Sequence, residues 1–174
     1  MDDKFGLIKK EYDQFYRDLL KSGSLPMRDT GKGFWSAAIS SDVFDIFKKI
    51  KLQNFRNFLD VGSGDGVVVS IASLFTSAAG IEIDKMLHEK AVSMQRKLGL
   101  KANLINDDFY SHDFSAYDIL FLNPDRPLHR GLEQKLLREL KGRLILYGPH
   151  FRPSQLKKEK EFFVNDTIVA VYKK

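Results

Sequence analysis

Phe58-Leu59-Asp60-Val61-Gly62-Ser63-Gly64-Asp65-Gly66 passes from a short apolar run directly into three glycines at alternate positions. The apolar run reads as a strand over 57–61 and the residues after it as a helix, so the glycines occupy a strand-to-helix turn. Glycine relieves steric limits on such a turn and lets a ligand approach the backbone closely. The helix start that follows offers unpaired N–H groups. A dinucleotide-binding turn uses the same place, but it needs a small residue three positions after its second glycine. Val67 stands there, and the third glycine comes early, at Gly66. The pattern G-x-G-x-G favours a cofactor without a pyrophosphate and does not by itself name one.

From residue 57 onward, strands alternate with helices. Apolar runs at 57–61, 78–83, 102–105, 117–122 and 143–147 are separated by helical patterns at 66–75, 84–98 and 128–141. This alternation predicts an α/β fold, a parallel sheet with helices on both faces. The end of the chain differs. EFFV (161–164) and TIVAVY (167–172) flank Asn165-Asp166, which predicts a hairpin rather than another crossover. The expected plan is therefore five parallel strands plus a C-terminal antiparallel hairpin.

Upstream, Phe5, Ile8, Tyr12, Phe15, Tyr16, Leu19 and Leu20 recur at helical spacing over 3–21. Residues 22–36 carry glycines, a proline and Trp35, and read as a loop. A second helix is expected from near Ser41, with Val43, Phe44, Phe47 and Ile50 on its apolar face. No repeat or linker divides the chain. One domain over 1–174 is expected, with 1–40 as an N-terminal helix and loop extension.

A chain of 174 residues can bury a sizeable core. It has no cysteine, which removes disulfides and thiolate metal sites and is compatible with a reducing cytoplasm. No apolar run reaches the roughly 18 residues of a membrane span. Residues 1–20 mix both charge signs and lack the apolar region of a signal peptide. A cytoplasmic protein that does not enter a membrane is expected. The net charge of +5 permits an anionic partner such as RNA without requiring one. Lys157, Lys158 and Lys160, interleaved with Glu159 and Glu161, read as a solvated face. His88, His112, His129 and His150 lack the spacing of a shared metal site, so no metal is expected.

Three further elements lie where strands end. Glu82, in Gly80-Ile81-Glu82-Ile83-Asp84, falls about 20 residues past the glycine turn, where a carboxylate can accept hydrogen bonds from both ribose hydroxyls. In Asn106-Asp107-Asp108-Phe109 a carboxylate can accept the exocyclic amine of adenine, with Phe109 against the base. Asp118-Ile119-Leu120-Phe121-Leu122-Asn123-Pro124 ends a strand beside the first. Open α/β sheets bind their ligands at these carboxyl ends.

Together these segments resemble the class I S-adenosylmethionine-dependent methyltransferases over roughly residues 40–174. FLDVGSGDG (58–66) is similar to their first motif, GIEID (80–84) to their second, NDDF (106–109) to the adenine-contacting segment, and DILFLNPD (118–125) to the start of their catalytic loop. The resemblance implies a Rossmann-like sheet with the last strand antiparallel, and S-adenosyl-L-methionine as cofactor. Asp60, Gly62 and Gly64 would hold its methionine part, Glu82 the ribose, and Asp108 with Phe109 the adenine. A looser similarity to small archaeal-type protein lysine methyltransferases rests on LEQKLLRELKGRLILYGPHF (132–151), where a helix and strand lead to a histidine-containing loop. Asn123-Pro124 also resembles the N-P-P-aromatic loop of amino-group methylases, but Asp125 and Arg126 replace its second proline and aromatic.

On these resemblances the leading expectation is methyl transfer to a protein lysine amine. Asn123 would align the acceptor, and Tyr147 and His150 are further catalytic candidates, the histidine as a proton acceptor. The alternatives are an RNA or other nucleic-acid acceptor, or a non-catalytic S-adenosylmethionine-binding protein. Thr30-Gly31-Lys32-Gly33-Phe34-Trp35 reads either as a lid or as a segment whose tryptophan packs the first helix onto the sheet.

Overall fold

The computed structural model describes residues 1–128, 131–148 and 150–174. The first helix, α1 (Asp2–Lys21), carries the amphipathic pattern read from the sequence and buries Ile8 and Tyr12. The next segment corrects the expectation of a plain loop. Met27–Asp29 (β1) and Phe34–Ser36 (β2) pair antiparallel as a short hairpin. Then come α2 (Ser40–Lys49), β3 (Asn57–Val61), α3 (Val67–Ala72), β4 (Ser77–Ile81), α4 (Lys85–Leu98) and β5 (Asn103–Ile105). The chain ends with β6 (Ile119–Leu122), α5 (Leu132–Glu139), β7 (Arg143–Tyr147), β8 (Lys157–Val164) and β9 (Thr167–Lys173). The helix expected over 128–141 is shorter, and positions 129 and 130 lie outside the described residues.

The seven long-range strands form one sheet in the order β5-β4-β3-β6-β7-β9-β8. The first five are mutually parallel, β9 runs antiparallel to β7, and β8 closes the edge as the hairpin partner of β9. This is the plan of five parallel strands plus an antiparallel hairpin. The C-terminal hairpin is longer than the sequence suggests, because β8 extends back to Lys157. Its lysines and glutamates then line an exposed edge strand, where charge discourages pairing with another chain.

Period-two alternation splits each buried strand between two cores. Phe58, Ile119, Phe121 and Ile145 face α1, α2 and α3, with Met94 of α4 on the same side. Leu59, Val61, Leu120, Leu122, Leu144 and Leu146 face α5 and the segment around Phe114. Helices therefore cover both faces, and the buried strands read as continuous apolar runs for that reason. Side chains also set the strand starts: Asp118 accepts the backbone N–H groups of Arg56 and Asn57 at 2.7 and 3.1 Å, aligning β6 beside β3. Among the described residues, no helix is long and apolar enough to cross a membrane.

Candidate cofactor and acceptor site

Strand order reverses between β3 and β6: β4 and β5 lie on one side of β3, while β6 and β7 lie on the other. The crevice above such a reversal is where open α/β sheets hold ligands. A pocket of about 300 Å³ opens there, lined by Gly62 after β3, Glu82 after β4, Asp108 and Phe109 after β5, and Asn123 after β6. That volume is within the range of small-molecule sites.

The glycine turn explains its own spacing. Gly62, Gly64 and Gly66 have φ of +76°, +54° and +81°, a left-handed region that side chains disfavour. A Cβ at Gly62 would meet nothing within 4 Å, so its backbone faces open space. Glu82, 8% exposed, braces the turn: its two oxygens accept Gly64 N–H and Asp84 N–H, each at 2.8 Å. Burial raises its pKa, and those two backbone N–H groups act against the rise. Asp84 in turn caps α4 by accepting Leu87 N–H at 2.9 Å.

Asp60 is 3% exposed and finds no hydrogen-bond donor among the described residues. Burial pushes its carboxyl well above the usual range, and the charges of Glu82 and Asp65 push it the same way. The carboxylate oxygens are not sealed off, since Gln95 Nε2 is the one fully buried side-chain polar atom without a partner among the described residues, so a cationic or donor-bearing group reaching them would be favoured. Asp60 does not itself line the open pocket, and Gly64 is covered by Trp35.

Asp108 Oδ1 accepts Tyr110 N–H at 2.9 Å, which caps the turn after β5 and leaves its other oxygen for a ligand. Phe109 packs onto the α5-side core, with the Tyr110 ring tilted against it at a centroid distance of 4.7 Å. Asn123 is exposed at the end of β6 and makes no hydrogen bond among the described residues.

The other catalytic candidates lie elsewhere. The Tyr147 hydroxyl accepts Ile39 N–H at 3.3 Å, and its ring packs on the α1–α3 core. His150 is exposed beside Phe151, and position 149 lies outside the described residues. Neither lines the pocket.

Sequence reasoning missed three supports. Tyr16 donates to Asp65 Oδ2 at 2.7 Å and Tyr12 to Asp65 O at 3.1 Å, pinning α1 to the glycine turn. Burial pushes the Asp65 carboxyl up to about 6, against the lowering effect of the Tyr16 hydroxyl and Val67 N–H. Asn106 donates to Glu82 O at 2.7 Å, tying the ends of β5 and β4 together. The β1–β2 hairpin is bonded to Asp125 and Arg126 after β6. The two tyrosines sat on a recognised helical stripe, and only their hydroxyls on an otherwise apolar face hinted at a polar partner.

No protein-family model matches the sequence, and no curated protein resembles it in sequence. Solved structures do resemble the fold. An RNA methyltransferase from Salinibacter ruber, in complex with S-adenosyl-L-homocysteine, matches with TM-score 0.67 at 20% identity over 78% of this chain and 92% of that one. The tRNA (uracil-54, C5)-methyltransferase of Pyrococcus abyssi, also with S-adenosyl-L-homocysteine, matches at TM-score 0.61 and 17% identity over 75% of this chain, but only 38% of its own. The putative methyltransferase yhhF from Escherichia coli matches at TM-score 0.57 and 17% identity, over 76% and 84% of the two chains. The chain thus has the fold found in class I S-adenosylmethionine-dependent methyltransferases.

Proposed function

We propose that this chain is an S-adenosyl-L-methionine-dependent methyltransferase acting in the cytoplasm. The observation that carries the reading is the set of hydrogen-bond acceptors gathered at one strand reversal: Asp60 without a donor, Glu82 on the glycine turn and Asp108 after β5. These groups suit the cofactor's three parts. Gly62, which lines the pocket, meets the methionine end, while Asp60 and Gly64 lie behind that lining and shape the turn that presents it. Each Glu82 oxygen accepts one backbone N–H and keeps a lone pair for a ribose hydroxyl. Asp108 takes the adenine amine, with Phe109 against the ring.

The cofactor supplies a methyl group already activated by a sulfonium, so the protein contributes mainly proximity and orientation. Asn123, exposed at the pocket and uncommitted to other partners, aligns the acceptor. Tyr147 and His150 have no place in this reading, because neither lines the pocket.

The acceptor proposed is a protein lysine amine, on the similarity of residues 132–151 to protein lysine methyltransferases. A second reading, an RNA acceptor, draws on Asn123-Pro124, on the half-exposed aromatics Phe34 and Tyr110 at the pocket mouth, and on the RNA methyltransferases that share the fold. Exposed aromatic faces are common platforms for unstacked bases. Methyl transfer from labelled S-adenosylmethionine into cell extract, followed by separate protease and ribonuclease digestion, divides the two. Label released only by protease supports lysine, and label released only by ribonuclease overturns it in favour of RNA.

The cofactor assignment has its own test. Glu82→Ala is expected to weaken S-adenosylmethionine binding by about 1–3 kcal/mol, since ribose hydroxyls lose their acceptors and Gly64 N–H loses its brace. Unchanged affinity in calorimetry would mean that the ribose lies elsewhere.

A further inference from the structure

The β1–β2 hairpin is too small to hold a position by its own pairing, since an isolated two-stranded hairpin is marginally stable at best. Four contacts outside it fix where it lies. Arg28 and Trp35 are cross-strand partners and so share one face. On that face Arg28 Nη2 meets Asp84 Oδ1 at 3.0 Å, at the start of α4. Trp35 lies so close over the glycine turn that a Cβ on Gly64 would come within 2.5 Å of its Cδ1. At the hairpin's tip, Phe34 N–H donates to Asp125 Oδ2 at 2.8 Å and Arg126 donates to Lys32 O at 3.1 Å. The hairpin therefore spans the carboxyl ends of β4, β3 and β6, and Trp35 lines the pocket beneath it.

Asp125 is shaped for the fastening. Burial raises its pKa, but the Arg126 guanidinium and Phe34 N–H outweigh this and hold the carboxyl below the usual range. Gly33 accommodates it, because a Cβ there would come within 3.0 Å of Asp125 Oδ2. The same short segment, Asn123 to Arg126, thus carries both the residue proposed to align the acceptor and the fastening of the hairpin.

We propose that the hairpin is a wall of the cofactor site, with Trp35 touching the bound cofactor and Asp125 acting as the positioning residue that holds Trp35 over the glycine turn. This rests on the cofactor reading above. It makes residence of the cofactor depend on the segment that meets the acceptor.

Trp35 is the chain's one tryptophan, so emission excited selectively at tryptophan, beyond tyrosine absorption, reports on this wall alone. Calorimetry with S-adenosylhomocysteine on the wild-type protein comes first, and absence of binding there would remove the cofactor reading itself. Given binding, saturation is expected to change the Trp35 emission, and Trp35→Leu to raise the dissociation constant about 10-fold, with Trp35→Phe in between. Asp125→Ala keeps the fluorophore. In stopped-flow displacement it is expected to speed release of S-adenosylhomocysteine about 2- to 10-fold, the worth of one hydrogen bond, with the melting temperature unchanged. Emission that does not move on saturation overturns the proposal. So does a release rate unaltered by Asp125→Ala, and the second readout stands even where Trp35→Leu fails to fold.

Discussion

Asn123→Ala is expected to lower methyl transfer about 100-fold, the cost of misplacing reacting groups by about an ångström, while leaving affinity for S-adenosylhomocysteine intact. The residue is well placed for a clean result. It is exposed and bound to no other described residue, so its truncation should move stability by no more than about 0.5 kcal/mol. It also follows Leu122, whose side chain is buried in the α5-side core and fixes the end of β6. A lost rate therefore reports alignment rather than unfolding. Tyr147→Phe and His150→Ala serve as comparisons, expected to stay within about threefold of wild type because their side chains lie off the pocket. The measurement is initial-rate label transfer into whichever fraction of extract accepts the methyl group. Full activity in Asn123→Ala, or a collapse in Tyr147→Phe, would move the acceptor to another part of the site.

That contrast marks where sequence reasoning reached and where it stopped. The glycine turn was legible because its information is local: an apolar run, then positions needing positive φ at every second residue. Glu82 and Asp108 were legible because each lies within three residues of the end of an apolar run that becomes a strand. Asn123, Tyr147 and His150 were equally prominent by that logic, since all three sit at or just past strand ends. What separates them is strand order, which places β6 at the reversal beside β3 and β7 one strand further out. No local pattern carries that order. The hairpin was missed for a related reason. Its strands have three residues each, and its anchors lie far along the chain, with Phe34 and Asp125 91 residues apart. Asp65 stands between two of the turn glycines, and its bond to Tyr16, 49 residues away, is likewise invisible to periodicity.

The site also depends on packing beneath it, and Phe47→Ala is expected to be the most damaging change away from the pocket. Phe47 is fully buried. Its ring meets Phe58 of β3 and Phe121 of β6 edge-on, with centroids 5.3 and 5.9 Å apart, and Phe75 at 6.0 Å. It thus bridges the two strands whose carboxyl ends carry the glycine turn and Asn123. Truncation loses the transfer energy of the ring, leaves a cavity between rigid strands, and removes three edge-to-face contacts. The expected cost is about 3–5 kcal/mol, a large share of the roughly 5–15 kcal/mol that holds a domain of ordinary stability. Thermal denaturation should show a fall of about 6–20 °C in Tm. Phe163→Ala supplies the control, since Phe163 is 61% exposed on β8 and should cost no more than about 0.5 kcal/mol. If the two variants melted together, the aromatic cluster would not be what holds β3 beside β6. The alignment of the glycine turn with Asn123 would then have to come from the backbone pairing of those strands and from Asp118 at their other end.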